Sequence, residues 1–212
     1  MIRIAFLILM FCSSNLIFAQ REFKGGFLAG AVTSQISGDG LGGWDKFGLV
    51  AGAWVEVPFS DRMALNVTMK YINKGSRTKV DSVSFQTFGY YLNYIDVPLL
   101  ISYRFNSASQ KNPIDLLLGP SIGILLNQKI VSNGFEVEVN PPFRNYEVGA
   151  ELALRMWFGQ SFFGQLAIAT SVLPTRPNPS QVNKLNYYES GNYNQTIQLT
   201  FGLRLGGRSA VG

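Results

Sequence analysis

Five basic and five acidic side chains interrupt otherwise apolar, alternating runs: Lys24, Lys70, Arg104, Arg155 and Arg204 against Glu56, Asp96, Asp115, Glu147 and Glu151. Neighbouring carboxylates can divide general-acid and general-base work, and Glu147 and Glu151 share one face of an alternating run. The rest of the chain offers that chemistry little support. There is no histidine, which removes the commonest general base and the commonest transition-metal ligand. The single cysteine, Cys12, stands in the apolar run near the amino terminus. The chain after it therefore has no thiol nucleophile, disulfide or cysteine metal ligand. The stretch SGDGLGGWD (Ser37 to Asp45) has two acids but lacks the ligand count of a calcium loop. No catalytic residue, metal or cofactor is expected, and the ten charges read as a structural set.

The elements that carry these charges have a period of two. From Met63 to Tyr71 the odd positions are Met, Leu, Val, Met and Tyr, with Ala, Asn, Thr and Lys between them. From Tyr146 to Phe158 the even positions are apolar, and between Ile197 and Leu205 the odd ones are. Such alternation is the signature of strands with one apolar face. The run YIDVPLLISYRF (Tyr94 to Phe105) reads as another strand, and weaker alternations fall near 22–34, 46–57, 113–128 and 162–172. The sum is eight strands and no helix after the leader. Connections alternate in length: PFSDR (58–62), NSASQKN (106–112) and GQS (159–161) are short, while about 35–45, 75–89, 130–142 and 173–192 are long. Short turns at one end and long loops at the other predict an all-β, eight-stranded, antiparallel up-and-down transmembrane β-barrel, long loops outside and both termini inside.

The amino terminus, MIRIAFLILMFCSSNLIFAQ, has a basic residue, an apolar run and a small residue, Ala19, near its exit. That layout predicts a signal peptide over 1–19, an apolar run too short to span a bilayer, and a barrel domain over 20–212. The expected location is the cell outer membrane after export. The net charge is +5 and the sequence pI about 9.4, but the basic residues are scattered singly, so no nucleic-acid partner is expected.

In strand four, Ile95, Val97, Leu99, Ile101, Tyr103 and Phe105 form a lipid face if odd positions point outward, and Asp96, Ser102 and Arg104 enter the lumen. Extending that parity places all ten charges inside. An eight-stranded barrel is just wide enough to be filled by side chains, so the charges must pair, because a lone buried charge costs several kcal/mol. Pro98 lacks an N–H and predicts a bulge at which inward parity changes. Tyr71, Tyr90, Tyr91, Tyr94, Tyr103, Phe105, Tyr146, Phe158, Phe162 and Phe163 fall near strand ends, where aromatic girdles sit.

The run LNYIDVPLLISYRF (Leu92 to Phe105), followed by LLLGPSIGILL (Leu116 to Leu126), resembles the central signature of the outer-membrane β-barrel domain family that includes PorT-like proteins. GGFLAGAVTSQISGDG (Gly25 to Gly40), VAGAWVEVPFSDRMALNVTMKYINKG (Val50 to Gly75) and TIQLTFGLRL (Thr196 to Leu205) are similar to its other strands. The resemblance implies an eight-stranded barrel in the outer membrane of a Gram-negative bacterium. PorT-like members are associated with type IX secretion, so the resemblance implies support of that apparatus as one role. The ending GGRSAVG and the length depart from PorT itself and favour a generic family member.

The expected function is a non-enzymatic structural or interaction barrel with a filled polar lumen. Its expected partners are outer-membrane lipid and, through long outer loops, other envelope or secretion proteins. Three alternatives stand beside it: a narrow pore, a barrel-rim hydrolase using Glu147 and Glu151, and a soluble periplasmic lipid-binding barrel. The last would reverse the faces, with apolar side chains inside.

Overall fold

The computed structural model describes residues 23–78, 87–105, 112–177 and 191–205. The expected leader, 1–19, lies outside the described residues. Eight long strands form the wall: β1 (Lys24–Ser37), β2 (Lys46–Pro58), β3 (Met63–Arg77), β4 (Phe88–Arg104), β5 (Ile114–Ser132), β7 (Tyr146–Phe158), β8 (Phe162–Ser171) and β10 (Gly191–Leu205). Two short pieces, β6 (Phe135–Glu136) and β9 (Arg176–Pro177), pair with β5 and β10 at the long-loop end. Each long strand is antiparallel to its sequence neighbour, and β1 pairs β10 from Gly25↔Leu205 to Ser37↔Tyr193. That last ladder closes the sheet, so the barrel has no edge within its wall.

The alternation in the sequence becomes two surfaces. Outward positions include Phe27, Leu49, Val55, Met69, Ile101, Leu118, Ile122, Leu152, Leu154, Leu166, Ile168, Leu199 and Phe201, all exposed. Inward positions carry the buried polar and charged side chains. The apolar surface therefore faces out, the reverse of what a soluble lipid-binding barrel requires. Tyr103, Phe105, Tyr146, Phe158 and Phe162 are exposed near strand ends, as girdle residues would be, whereas Tyr71 is exposed in the middle of β3, which runs on to Arg77. Tyr90, Tyr94 and Phe163 are not in a girdle. They are buried in the interior cluster, because their parity points them inward.

The short turns are built locally. Between β2 and β3 the N–H groups of Phe59 and Ser60 both donate to Met63 O at 3.1 Å, and Ser60 Oγ accepts the Met63 N–H at 3.0 Å. Gly159 supplies a φ of 73° in the turn from β7 to β8, a conformation open to glycine at little cost. At the other end β3, β4 and β5 run further than the sequence alternation implies, pairing as far as Arg77↔Gly89 and Phe88↔Ser132.

The bulge expected at Pro98 is absent. Asp96, Leu100 and Ser102 are all buried, so parity in β4 is the same on both sides of the proline. The ladders omit pairs there, from Val67↔Leu99 to Lys70↔Asp96 on one side and from Pro98↔Ser121 to Ile101↔Leu118 on the other, without changing register. A missing donor thus costs local pairing but inserts no residue. The register shift lies instead in β5, where Asn93 pairs Asn127 while Tyr94 pairs Leu125. Leu126 is the extra residue, and inward parity changes from odd (Asp115, Leu117, Gly123) to even (Ile130) across it.

Candidate functional site

The interior divides into three charged groups below an apolar stopper. At the short-turn end, periplasmic in membrane barrels, Arg104 grips Asp115 with two bonds, Nε to Oδ1 at 2.7 Å and Nη2 to Oδ2 at 2.9 Å. Trp157 Nε1 donates to the same Oδ2 at 2.7 Å. Glu56 accepts Arg155 Nη1 at 3.3 Å and lies 3.8 Å from Lys24 Nζ. Arg155, wholly buried, also donates Nε to Gln165 Oε1 at 2.9 Å. Its guanidinium lies 4.3 Å from the Phe163 ring centre and 5.3 Å from that of Trp54. Stacking on aromatic faces suits a weakly hydrated guanidinium that has lost its water. Gly202 makes this packing possible, since a side chain there would strike the Phe163 ring. Arg204 stands at the same end opposite Gly26, its backbone N–H donating to Ser161 O at 2.7 Å.

Midway, Lys70 Nζ donates to Glu151 Oε2 at 2.6 Å and Gln198 Oε1 at 2.8 Å. One layer further, Lys74 Nζ reaches Asp96 Oδ2 at 3.2 Å and Glu147 Oε1 at 3.0 Å. Asn194 Nδ2 satisfies the other oxygen of Glu147 at 2.6 Å, and the Tyr94 ring centre lies 4.3 Å from the ammonium. All these charged groups are nearly or fully buried. In low dielectric each is retained at little cost only because an opposite charge and further hydrogen bonds complete it.

Val50 and Ile72, which lie between the levels of Lys70 and Lys74, pack into one buried cluster with Val32, Ile36, Leu92, Ile130 and Phe143, and Phe143 caps it at the outer end. Phe143 comes from the long connection between β6 and β7, and its ring meets Tyr90 edge-on at 5.5 Å. Arg176 fastens the next connection over it, donating Nε to Pro141 O at 2.8 Å, while Arg144 N–H donates to Thr175 O at 2.7 Å. Two connections thus meet over the outer mouth.

The ten residues singled out in the sequence sit on the inner face in β1, β2, β3, β4, β5, β7 and β10. They fall into separate groups: Lys24, Glu56, Arg104, Asp115, Arg155 and Arg204 at one end, Lys70 with Glu151, and Asp96 with Glu147. The last two are joined by Lys74, which sequence reasoning passed over. It shares the parity of Lys70 and stands four positions on, a signal that the alternation carried. Each of the two carboxylates weighed as a hydrolytic pair is held by its own lysine, Glu147 by Lys74 and Glu151 by Lys70. Among the described residues no cluster of histidine, cysteine, aspartate and glutamate has a metal-holding arrangement. Asp39, in the loop considered for a cation, accepts the Leu41 N–H at 2.8 Å.

The model of a family described as outer membrane protein β-barrel domain matches residues 14–175. Among solved structures, Ail, the attachment invasion locus protein of Yersinia pestis, in complex with the heparin analogue sucrose octasulfate, is 16% identical with a TM-score of 0.50, over 87% of this chain and 100% of that one. Neisserial surface protein A is 11% identical with a TM-score of 0.48 over the same shares. The N-terminal β-barrel domain of Pseudomonas aeruginosa OprF is 10% identical with a TM-score of 0.40, again over 87% and 100%. At 16% identity the likeness to Ail is one of fold. No curated protein matches the chain.

Proposed function

The chain belongs to the outer membrane protein β-barrel domain family, and from that premise we propose that it is a non-enzymatic barrel that supports or docks envelope proteins through its outer loops, its lumen sealed by its own side chains. The protein is an outer-membrane β-barrel, and a structural or interaction role fits that architecture. The observation that carries the reading is the stack of buried ion pairs beneath the Phe143 stopper. A lumen whose charges are matched by neighbours and roofed by apolar side chains leaves little room for ions or substrate. Residues 1–19 are proposed as the export leader, lipid as the partner of the apolar exterior, and the type IX secretion apparatus, through the resemblance to PorT-like proteins, as the machine supported. Ail was crystallised with a sulfated ligand, which is in keeping with barrels of this fold taking partners at the cell surface.

Planar-bilayer recording on the purified, refolded barrel tests the seal. The expected trace is silent; a steady single-channel current would replace the interaction barrel with a pore. Affinity capture of the tagged protein from its own outer membrane, with and without the 173–192 connection, tests docking, and identical partner sets from both forms would count against the loops.

A further inference from the structure

The outer end carries one strand edge that no described residue covers. After β5 the chain turns through Asn133 and Gly134 and returns as β6, pairing Ser132↔Phe135 and Val131↔Glu136. The Val137 N–H then donates to Ile130 O at 2.9 Å. In an antiparallel ladder alternate residues turn their N–H and C=O toward the neighbour. Because Val137 turns its groups to β5, Glu136 and Glu138 turn theirs away, and no described backbone group meets them.

Two chemistries alternate along this edge. A half-open groove of about 710 Å³ runs along it, lined by Ile130, Val137, Val139 and Pro142 and also by Glu136 and Glu138. Phe135, on the parity of Val137 and Val139, is 76% exposed. Alternating with the valines, Glu136 and Glu138 are exposed, and the solvent-exposed Lys129 lies beside Glu136 at 3.3 Å. A bare edge is a template for another strand. A strand laid here would set every second side chain against aliphatic residues and the intervening ones against carboxylates.

Resting on the reading of an interaction barrel, we propose that the Phe135–Val139 edge takes an extended segment of a partner protein as an added strand, one in which aliphatic and basic side chains alternate. Backbone bonds to Glu136 and Glu138 provide adhesion, the groove selects the aliphatic positions, and the two carboxylates select the basic ones.

The test uses the full mature chain in lipid nanodiscs and a short, capped, fluorescent peptide of strictly alternating lysine and valine, followed by anisotropy. Saturable binding is expected. It should weaken about tenfold or more when the peptide is N-methylated on the edge that pairs, since several backbone bonds are lost together. The same loss is expected from Glu138→Pro, which removes an outward N–H, and from Glu136→Lys combined with Glu138→Lys. Absence of saturable binding, or binding that survives N-methylation, overturns the proposal, and the methylated peptide decides this on unaltered protein. A silent bilayer with no peptide binding would sink strand addition alone, whereas an ion current would sink the sealed interaction barrel beneath it.

Discussion

Among the described residues Lys74 is the one ammonium that two carboxylates share within salt-bridge distance, Asp96 and Glu147, with all three side chains removed from water. Replacing it by methionine keeps the bulk and leaves two acids facing each other without a counter-charge. Loss of one partner from a buried ion pair costs about 3–5 kcal/mol. Urea unfolding of the refolded barrel should register Lys74→Met as a loss of that size, and adding Asp96→Asn with Glu147→Gln should recover most of it. A single variant as stable as the parent would mean that the ammonium does not hold these two acids together. The charge pattern was legible at this scale: every acid singled out from the sequence has an inward position. The partners were not legible, because Lys24, Glu56 and Arg155 come from three strands whose inward angles only closure of the sheet fixes.

At the level of the strand, β5 carries a bulge at Leu126 that shifts its register against β4 by one residue. A one-residue slip in an unbulged strand exchanges its two faces. Deleting Leu126 merely heals the ladder, because Leu125 and Ile130 keep their inward parity once the extra residue is gone. Deleting Leu118 removes an outward leucine of nearly equal exposure, 57% against 56%, but throws one flank of β5 out of phase. The first deletion should still give a band whose gel mobility shifts on boiling, and the second should not; equal behaviour would place the irregularity elsewhere. The period of two revealed every long strand, but the missing N–H of Pro98 pointed to the wrong irregular position. Proline removes a donor without adding a residue, and only an added residue flips parity.

Over the whole molecule the decisive property is an apolar exterior wrapped around a polar interior. Leu152 is half exposed on that exterior, at the centre of β7 and in register with Leu118 and Ile168. Leu152→Arg should cost about 2–4 kcal/mol in lipid bilayers, the depth-dependent cost of a cation near the midplane of a barrel wall. Measured by denaturant unfolding from liposomes, no loss would show that this surface never meets hydrocarbon. By itself the sequence determined the number of strands, their alternation, the order of short and long connections and the membrane character of one face. These are local or additive properties, carried by side-chain period and composition. Tertiary structure alone decided that Tyr90, Tyr94 and Phe163 fill the interior, that Lys74 bridges two acids, and that Phe143 stops the outer mouth. Those contacts join residues from separate strands and loops, and their distances are set by closure and register, which no alternation along a single strand encodes.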